Sequence, residues 1–329
     1  MKNSVVFYIV CIIGLILSTG CFSGQNLRQY KEIFFADPTV FYEDGKYYMT
    51  GTRNIKPLGF TLLESSDLKN WKKCASNPSG MILQQGHKAY GNDGFWAPQI
   101  LKENNIYYLT YTADEHIALG TSLFLGERFT QKETASIDPS EKNIDSFIFK
   151  DDDGKYYLYH VRFNKGNYLW VGEFDLTKGK IVPGTLKQCF TNTELWENTP
   201  AYKSAPIMEG PTVIKKNGVY YLFYSANHFK SVDYAVGYAT SSSPYGPWKK
   251  YSGNPIIHRT IVHENGSGHG DLFFDKNNNP FYVYHVHNSD STIVPRKTRI
   301  IPLEFKMNKK TDIYDISVLP DKIIRPKTY

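Results

Sequence analysis

Apolar and polar positions alternate in short runs along most of the chain, and one form of that alternation returns five times. Each copy opens on a polar or aromatic residue, runs through apolar positions, turns, and comes back through paired aromatic rings. Asp37-Pro38-Thr39-Val40-Phe41-Tyr42 leads through Asp44-Gly45 to Tyr47-Tyr48, and Trp96-Ala97-Pro98-Gln99-Ile100-Leu101 leads through Asn104-Asn105 to Tyr107-Tyr108. Asp145-Ser146-Phe147-Ile148-Phe149 precedes Asp153-Gly154 and Tyr156-Tyr157, and Glu209-Gly210-Pro211-Thr212-Val213-Ile214 precedes Asn217-Gly218 and Tyr220-Tyr221. The last copy runs from His269-Gly270-Asp271 through Asn277-Asn278-Asn279 to Phe281-Tyr282. Short apolar runs joined through Asp-Gly or Asn-Gly read as β-hairpins, since those residues tolerate the positive φ of a tight turn.

The copies begin at 37, 96, 145, 209 and 269. Intervals of that size hold a four-stranded blade with its loops, roughly 40–60 residues. Outer strands fit between the hairpins, at residues 59–66 before Trp71 and 234–241 before Trp248. Beyond the N-terminus no segment carries a helical period. A β-sandwich is the competing all-β arrangement, but units repeating this regularly favour a radial one. The sequence therefore predicts an all-β, five-bladed β-propeller over residues 31–329. In that fold the first strand of each blade lines the axis, so five opening residues that are distant in sequence meet.

Composition narrows the partners. With 41% hydrophobic and 21% charged residues the chain is globular and not disordered. Its net charge of +6 is spread without a basic run, which excludes a nucleic-acid footprint. The 25 Tyr point to strands and to ring-lined binding surfaces. Lys2 followed by the apolar stretch Val5–Leu17 reads as an export signal over residues 1–20, too short to span a membrane. Ser18-Thr19-Gly20-Cys21 resembles a bacterial lipobox, which would make Cys21 the lipidated first residue of a tether over 21–30. The expected location is the bacterial cell envelope, lipid-anchored on its periplasmic side or at the surface, with no other membrane contact and a monomeric state. Cys74 and Cys189 are then left as buried thiols or a single bridge.

Asp37, Asp145 and Glu209 are three carboxylates brought to one axis. Like charges so placed cannot all ionise, which is how one site holds an acid and a base at the same pH. Taken singly, Asp37-Pro38 reads as a turn and Glu209-Gly210-Pro211 as a loop; their shared place in the repeat is what points to chemistry. Asp138-Pro139-Ser140 imitates the first motif, but Asp145 stands 11 residues before Tyr156, as Glu209 does before Tyr220. Asp151, Asp152 and Asp153 read as a solvated hairpin turn.

Across the mature chain the pattern resembles glycoside hydrolase family 43. The carrying residues are Ala36-Asp37-Pro38, Trp96-Ala97-Pro98, Ile144-Asp145, Glu209-Gly210-Pro211 and Gly266-Ser267-Gly268-His269-Gly270, in order. The resemblance implies an inverting glycosidase in which Asp37 is the general base, Glu209 the general acid and Asp145 the residue that tunes and orients the acid. It implies pentose-containing substrates, arabinose- or xylose-bearing oligosaccharides, with α-L-arabinofuranosyl release favoured over β-xylosyl or β-galactofuranosyl release. His269 matches a channel-floor histidine beside a cation or its waters, calcium or another ion, and is equally readable as a hydrogen-bonded structural residue; no cofactor is needed for the chemistry itself. Arg296 matches a last-blade arginine that reaches the site, with Arg299 close by. Trp96, Phe95, Phe60 and Asn227 are candidate sugar contacts. A non-catalytic carbohydrate-binding propeller is the competing class.

Overall fold

Turn chemistry carries the predicted hairpins into the structure, a computed structural model that describes residues 30–74, 77, 79–198 and 206–329. Asp44 and Gly45 stand at φ 49° and 81°, and Asn217 and Gly218 at 51° and 77°, the paired positive φ values a two-residue hairpin turn needs. Each hairpin forms the inner half of a sheet, and five sheets make the blades.

Their innermost strands are Ala36–Glu43, Trp96–Glu103, Asn143–Lys150, Met208–Lys216 and Gly268–Phe274. Each packs against the next and the fifth against the first, which closes the ring around the axis. Blades 4 and 5 have four strands. Blade 2 has three, with isolated bridges from Thr121 to Thr130 and from Ala118 to Ser136 along its outer edge. In blade 1 the terminal strand Lys327–Thr328 pairs in parallel with Asn70–Lys73, and Lys31–Glu32 pairs with it in turn. Both ends of the propeller are thus stitched into one blade.

Between the blades the core is aromatic. Tyr159, Tyr221, Tyr224, Tyr282 and Tyr284 are fully buried, so much of the tyrosine content expected at binding surfaces packs the blades instead. Trp71 is likewise fully buried. The acidic run also departs from expectation: Asp151 is buried, bonded to Lys215 Nζ and Tyr220 OH of the next blade, while Asp152 and Asp153 are exposed. Cys74 and Cys189 are not disulfide-bonded. The export signal and the first nine tether residues, Cys21 among them, lie outside the described residues.

Candidate active site

A β-bulge interrupts every innermost strand at the same place, with register shifting between Ala36 and Thr39, Trp96 and Gln99, Ile144 and Phe147, Glu209 and Thr212, and Gly268 and Gly270. At each bulge one residue has positive φ: Asp37 (47°), Ala97 (45°), Asp145 (55°), Gly210 (60°) and His269 (36°). Four of the five are not glycine, and left-handed backbone at such residues costs about 1–2 kcal/mol each. A bulge re-aims the side chain it carries, and strain of this kind collects where a constellation is held in place. Here it gathers Asp37, Asp145 and His269 around a small channel cavity also lined by Thr39, Gln99, Ser146, Thr212 and Asp271. Trp96 and Glu209 precede the positive-φ residue of their blades by one position, so the five repeat openings are not strictly equivalent. Gly210 is required for space as well as φ, because a Cβ there would sit 2.7 Å from the His269 ring.

Asp37 is surrounded by nitrogen. Arg296 Nη1 lies 3.1 Å from its Oδ1 and 3.1 Å from His285 Nε2, while Nδ1 of His269 and of His285 each lie 3.4 Å from the same oxygen. Burial alone would raise this carboxyl, but Arg296, His269 and His285 together hold it well below the usual range. Burial pushes His285 down to about 3, with Arg296 adding to the effect, so its ring is neutral. The guanidinium of Arg296 stacks on Phe229, 4.6 Å from the ring centre.

Glu209 has the opposite tendency. Burial and the charge of Asp37 raise it to about 7, against the pull of Arg296 and of a 2.6 Å hydrogen bond donated by Tyr234 OH. Asp145 is buried and raised well above its ordinary value, first by desolvation and then by Glu209 and Asp37, against a bond from the Gly210 N–H at 3.3 Å. With Asp37 ionised, protons remain on the Asp145–Glu209 pair, which titrates as a unit. One carboxylate is poised as a base while a second keeps a proton near neutrality. That pairing suits general acid–base chemistry.

The sequence profile described as glycosyl hydrolases family 43 matches residues 31–310. The chain belongs to glycosyl hydrolase family 43. In structure it resembles an endo-1,4-β-xylanase from Bacteroides thetaiotaomicron, at 38% identity and a TM-score of 0.83 over 92% of this chain and 99% of that one. A thermostable family-43 glycoside hydrolase follows at 31% identity and 0.76, over 86% and 92%. Among curated relatives, a xylosidase/arabinosidase of Butyrivibrio fibrisolvens is 26% identical over 76% of this chain and 48% of its own, and an endo-α-(1→5)-L-arabinanase of Bacillus subtilis is 28% identical over 67% and 69%. The chain spans about half the length of the first two curated relatives it matches.

Within this family-43 propeller the remaining candidates separate. Arg296 is in the site, and Arg299 is not: it is buried, with its guanidinium bonded to Glu264 and Glu32. Asp138 binds Arg162 at 2.7 Å, away from the channel. Phe60 and Phe95, expected as sugar contacts, are both buried in an aromatic cluster where they pack against Tyr111. Asn227 is buried; it donates to the Asp233 carbonyl and accepts from the His228 N–H, fixing the loop that leads to Tyr234. Trp96 is partly exposed, its indole lying over Gly94. Among the described residues no three His, Cys, Asp or Glu side chains converge as metal ligands. A cation beside His269 would be held through waters, and no chemical step is routed through one. Tyr234 and His285 were missed because they stand outside the repeat openings; the first precedes the third strand of blade 4 and the second sits in the second strand of blade 5.

Proposed function

We propose that the protein is an inverting glycoside hydrolase that releases pentose, α-L-arabinofuranosyl in the first instance, from fragments of plant polysaccharide such as arabinan or arabinoxylan. The observation carrying the glycosidase reading is the contrast between Asp37, 3.1 Å from Arg296 Nη1 and 3.4 Å from two imidazole nitrogens, and Glu209, which accepts a hydrogen bond from Tyr234 OH and which burial raises to about 7. Asp37 draws a proton from water as that water attacks the anomeric carbon. Glu209 delivers its proton to the departing glycosidic oxygen, and Asp145 governs where the shared proton of the pair rests. Inversion follows if the water enters between base and sugar on the face opposite the acid. A second reading, β-xylosyl release, is favoured by the 38%-identical relative described as an endo-1,4-β-xylanase. The apolar run Val5–Leu17 and the Ser18-Thr19-Gly20-Cys21 motif support a lipid anchor in the cell envelope for this activity.

The test compares wild type, Asp37→Asn and Glu209→Ala on an arabino-oligosaccharide, a xylo-oligosaccharide and the two matching aryl glycosides. An activated aryl group leaves without acid help, so Glu209→Ala should lose the oligosaccharide and retain part of the aryl activity. Asp37→Asn should lose both, because every substrate needs the water activated. NMR of the first-formed sugar should show the inverted anomer. A folded wild type silent on all four substrates would sink the reading in favour of a carbohydrate-binding propeller.

A further inference from the structure

The blades are tied together near the site by a repeated hydrogen bond. Opposite the last residue before each bulge stands a second-strand residue: Thr52 faces Ala36, Thr112 faces Trp96, Val161 faces Ile144, Ser225 faces Glu209 and His285 faces Gly268. Thr52 Oγ1 accepts from the Ala97 N–H of the next blade at 2.9 Å, Thr112 Oγ1 from Asp145 N–H at 3.1 Å, and Ser225 Oγ from His269 N–H at 2.8 Å. His285 Nδ1 lies 3.2 Å from the Asp37 N–H. The two nitrogens of that neutral ring cannot both accept, and Nε2 faces Arg296, so the three hydroxyls are the unambiguous members.

Blade 3 breaks the series. Val161 is fully buried and has only methyl groups to offer. A buried N–H needs an acceptor, and that of Gly210 takes the Asp145 carboxylate, Oδ2 at 3.3 Å. The gap in the inter-blade series therefore falls where Asp145 and Glu209 meet.

We propose that Val161 is a positioning residue for the acid: by presenting no acceptor it leaves the Gly210 N–H to Asp145, which anchors that carboxylate next to Glu209. The bond favours the ionised form of Asp145, so the proton of the pair is biased towards Glu209, where protonation of the leaving oxygen requires it. The inference rests on the glycosidase reading above. Against it stands simple packing, since Val161 also belongs to a core cluster with Met208 and Val213.

Val161→Thr separates the two. The substitution is nearly isosteric and supplies the hydroxyl that Thr52 and Thr112 already use at equivalent places. Its hydroxyl should capture the Gly210 N–H, release Asp145 and let the pair's proton move off Glu209. The alkaline limb of kcat/KM on the oligosaccharide should then fall by about one pH unit, with about tenfold less activity above it, while an activated aryl glycoside is spared. Val161→Ala removes packing without adding an acceptor and should lower thermal stability with the limb in place. If Val161→Thr does not fold, Val161→Ser carries the same hydroxyl in less volume and must show the same shift. An unmoved limb in the hydroxyl variant, or an equal shift in Val161→Ala, would overturn the proposal. Wild type without turnover, or Glu209→Ala retaining oligosaccharide hydrolysis, would instead remove the glycosidase reading beneath it.

Discussion

Tyr234 OH donates to Glu209 Oε1 at 2.6 Å, and the same ring stacks on His285, its centroid 5.6 Å away. His285 in turn lies against Asp37 and Arg296. One phenol thus joins the surroundings of the proton donor to those of the base. The phenol is itself buried and raised well above its ordinary value, so it remains a donor throughout the working range.

Tyr234→Phe removes a bond that favours ionised Glu209. The Glu209 proton should therefore be held more tightly, and the alkaline limb of the kcat/KM profile should move up, opposite to the shift predicted for Val161→Thr. A fall of about tenfold at the optimum is expected as the carboxyl loses its fixed orientation. A pH profile on the natural oligosaccharide decides it, and a downward shift would contradict the role assigned to the phenol.

Arg296→Met should displace the whole bell. The guanidinium lowers both Asp37 and Glu209, so its removal raises both, and both limbs should move to higher pH. Loss of a charge-assisted bond to the base should cost about 10- to 100-fold in kcat/KM. A profile that loses height without moving would mean that Arg296 acts on substrate and not on the two carboxyls.

How far this site could be read from sequence follows from where its parts sit. Asp37, Asp145 and His269 were legible because they open repeats, and a bulge then gives all three the same left-handed backbone. Glu209 was legible by motif although its blade places Gly210 at the strained position. Tyr234, His285 and Val161 carry no motif, and their roles depend on which strand of which blade faces the neighbour. That Phe60 and Phe95 both meet Tyr111 was hidden for a related reason, since the three rings come from separate segments of the chain. The turns were local and were readable as such, whereas Asp151 became an inter-blade clamp only through Lys215 and Tyr220.

Arg299→Ala tests the division between the two arginines of blade 5. Its guanidinium is buried and satisfied by Glu264 and Glu32; removal leaves two partly solvated carboxylates, Glu264 still 3.8 Å from Arg325, and should cost about 1.5–3 kcal/mol of stability. The pH profile of the folded fraction should match wild type. Denaturant unfolding beside the kinetic profile measures both; a displaced limb with stability intact would place Arg299 in the site after all.

Asp271 offers a test that needs no substrate. This buried carboxyl accepts from Thr39 Oγ1 at 2.6 Å and Thr212 Oγ1 at 3.0 Å, joining blades 1, 4 and 5 across the channel. Burial outweighs those bonds and raises it to about 6. A carboxyl raised in the folded state binds its proton more tightly there than in the unfolded chain, so ionisation weakens the fold. Below pH about 4 it is protonated in both states and costs nothing. Between pH about 4 and 6 the cost grows, reaching about 3 kcal/mol, and above 6 it is constant. Asp271→Asn cannot ionise and its hydroxyl partners can rotate to suit the amide. The melting temperature of the variant relative to wild type should therefore climb by several degrees from pH 4 to pH 6.5 and then level off. A difference that stayed flat across that range would mean that the two threonine bonds fully offset the burial of the charge.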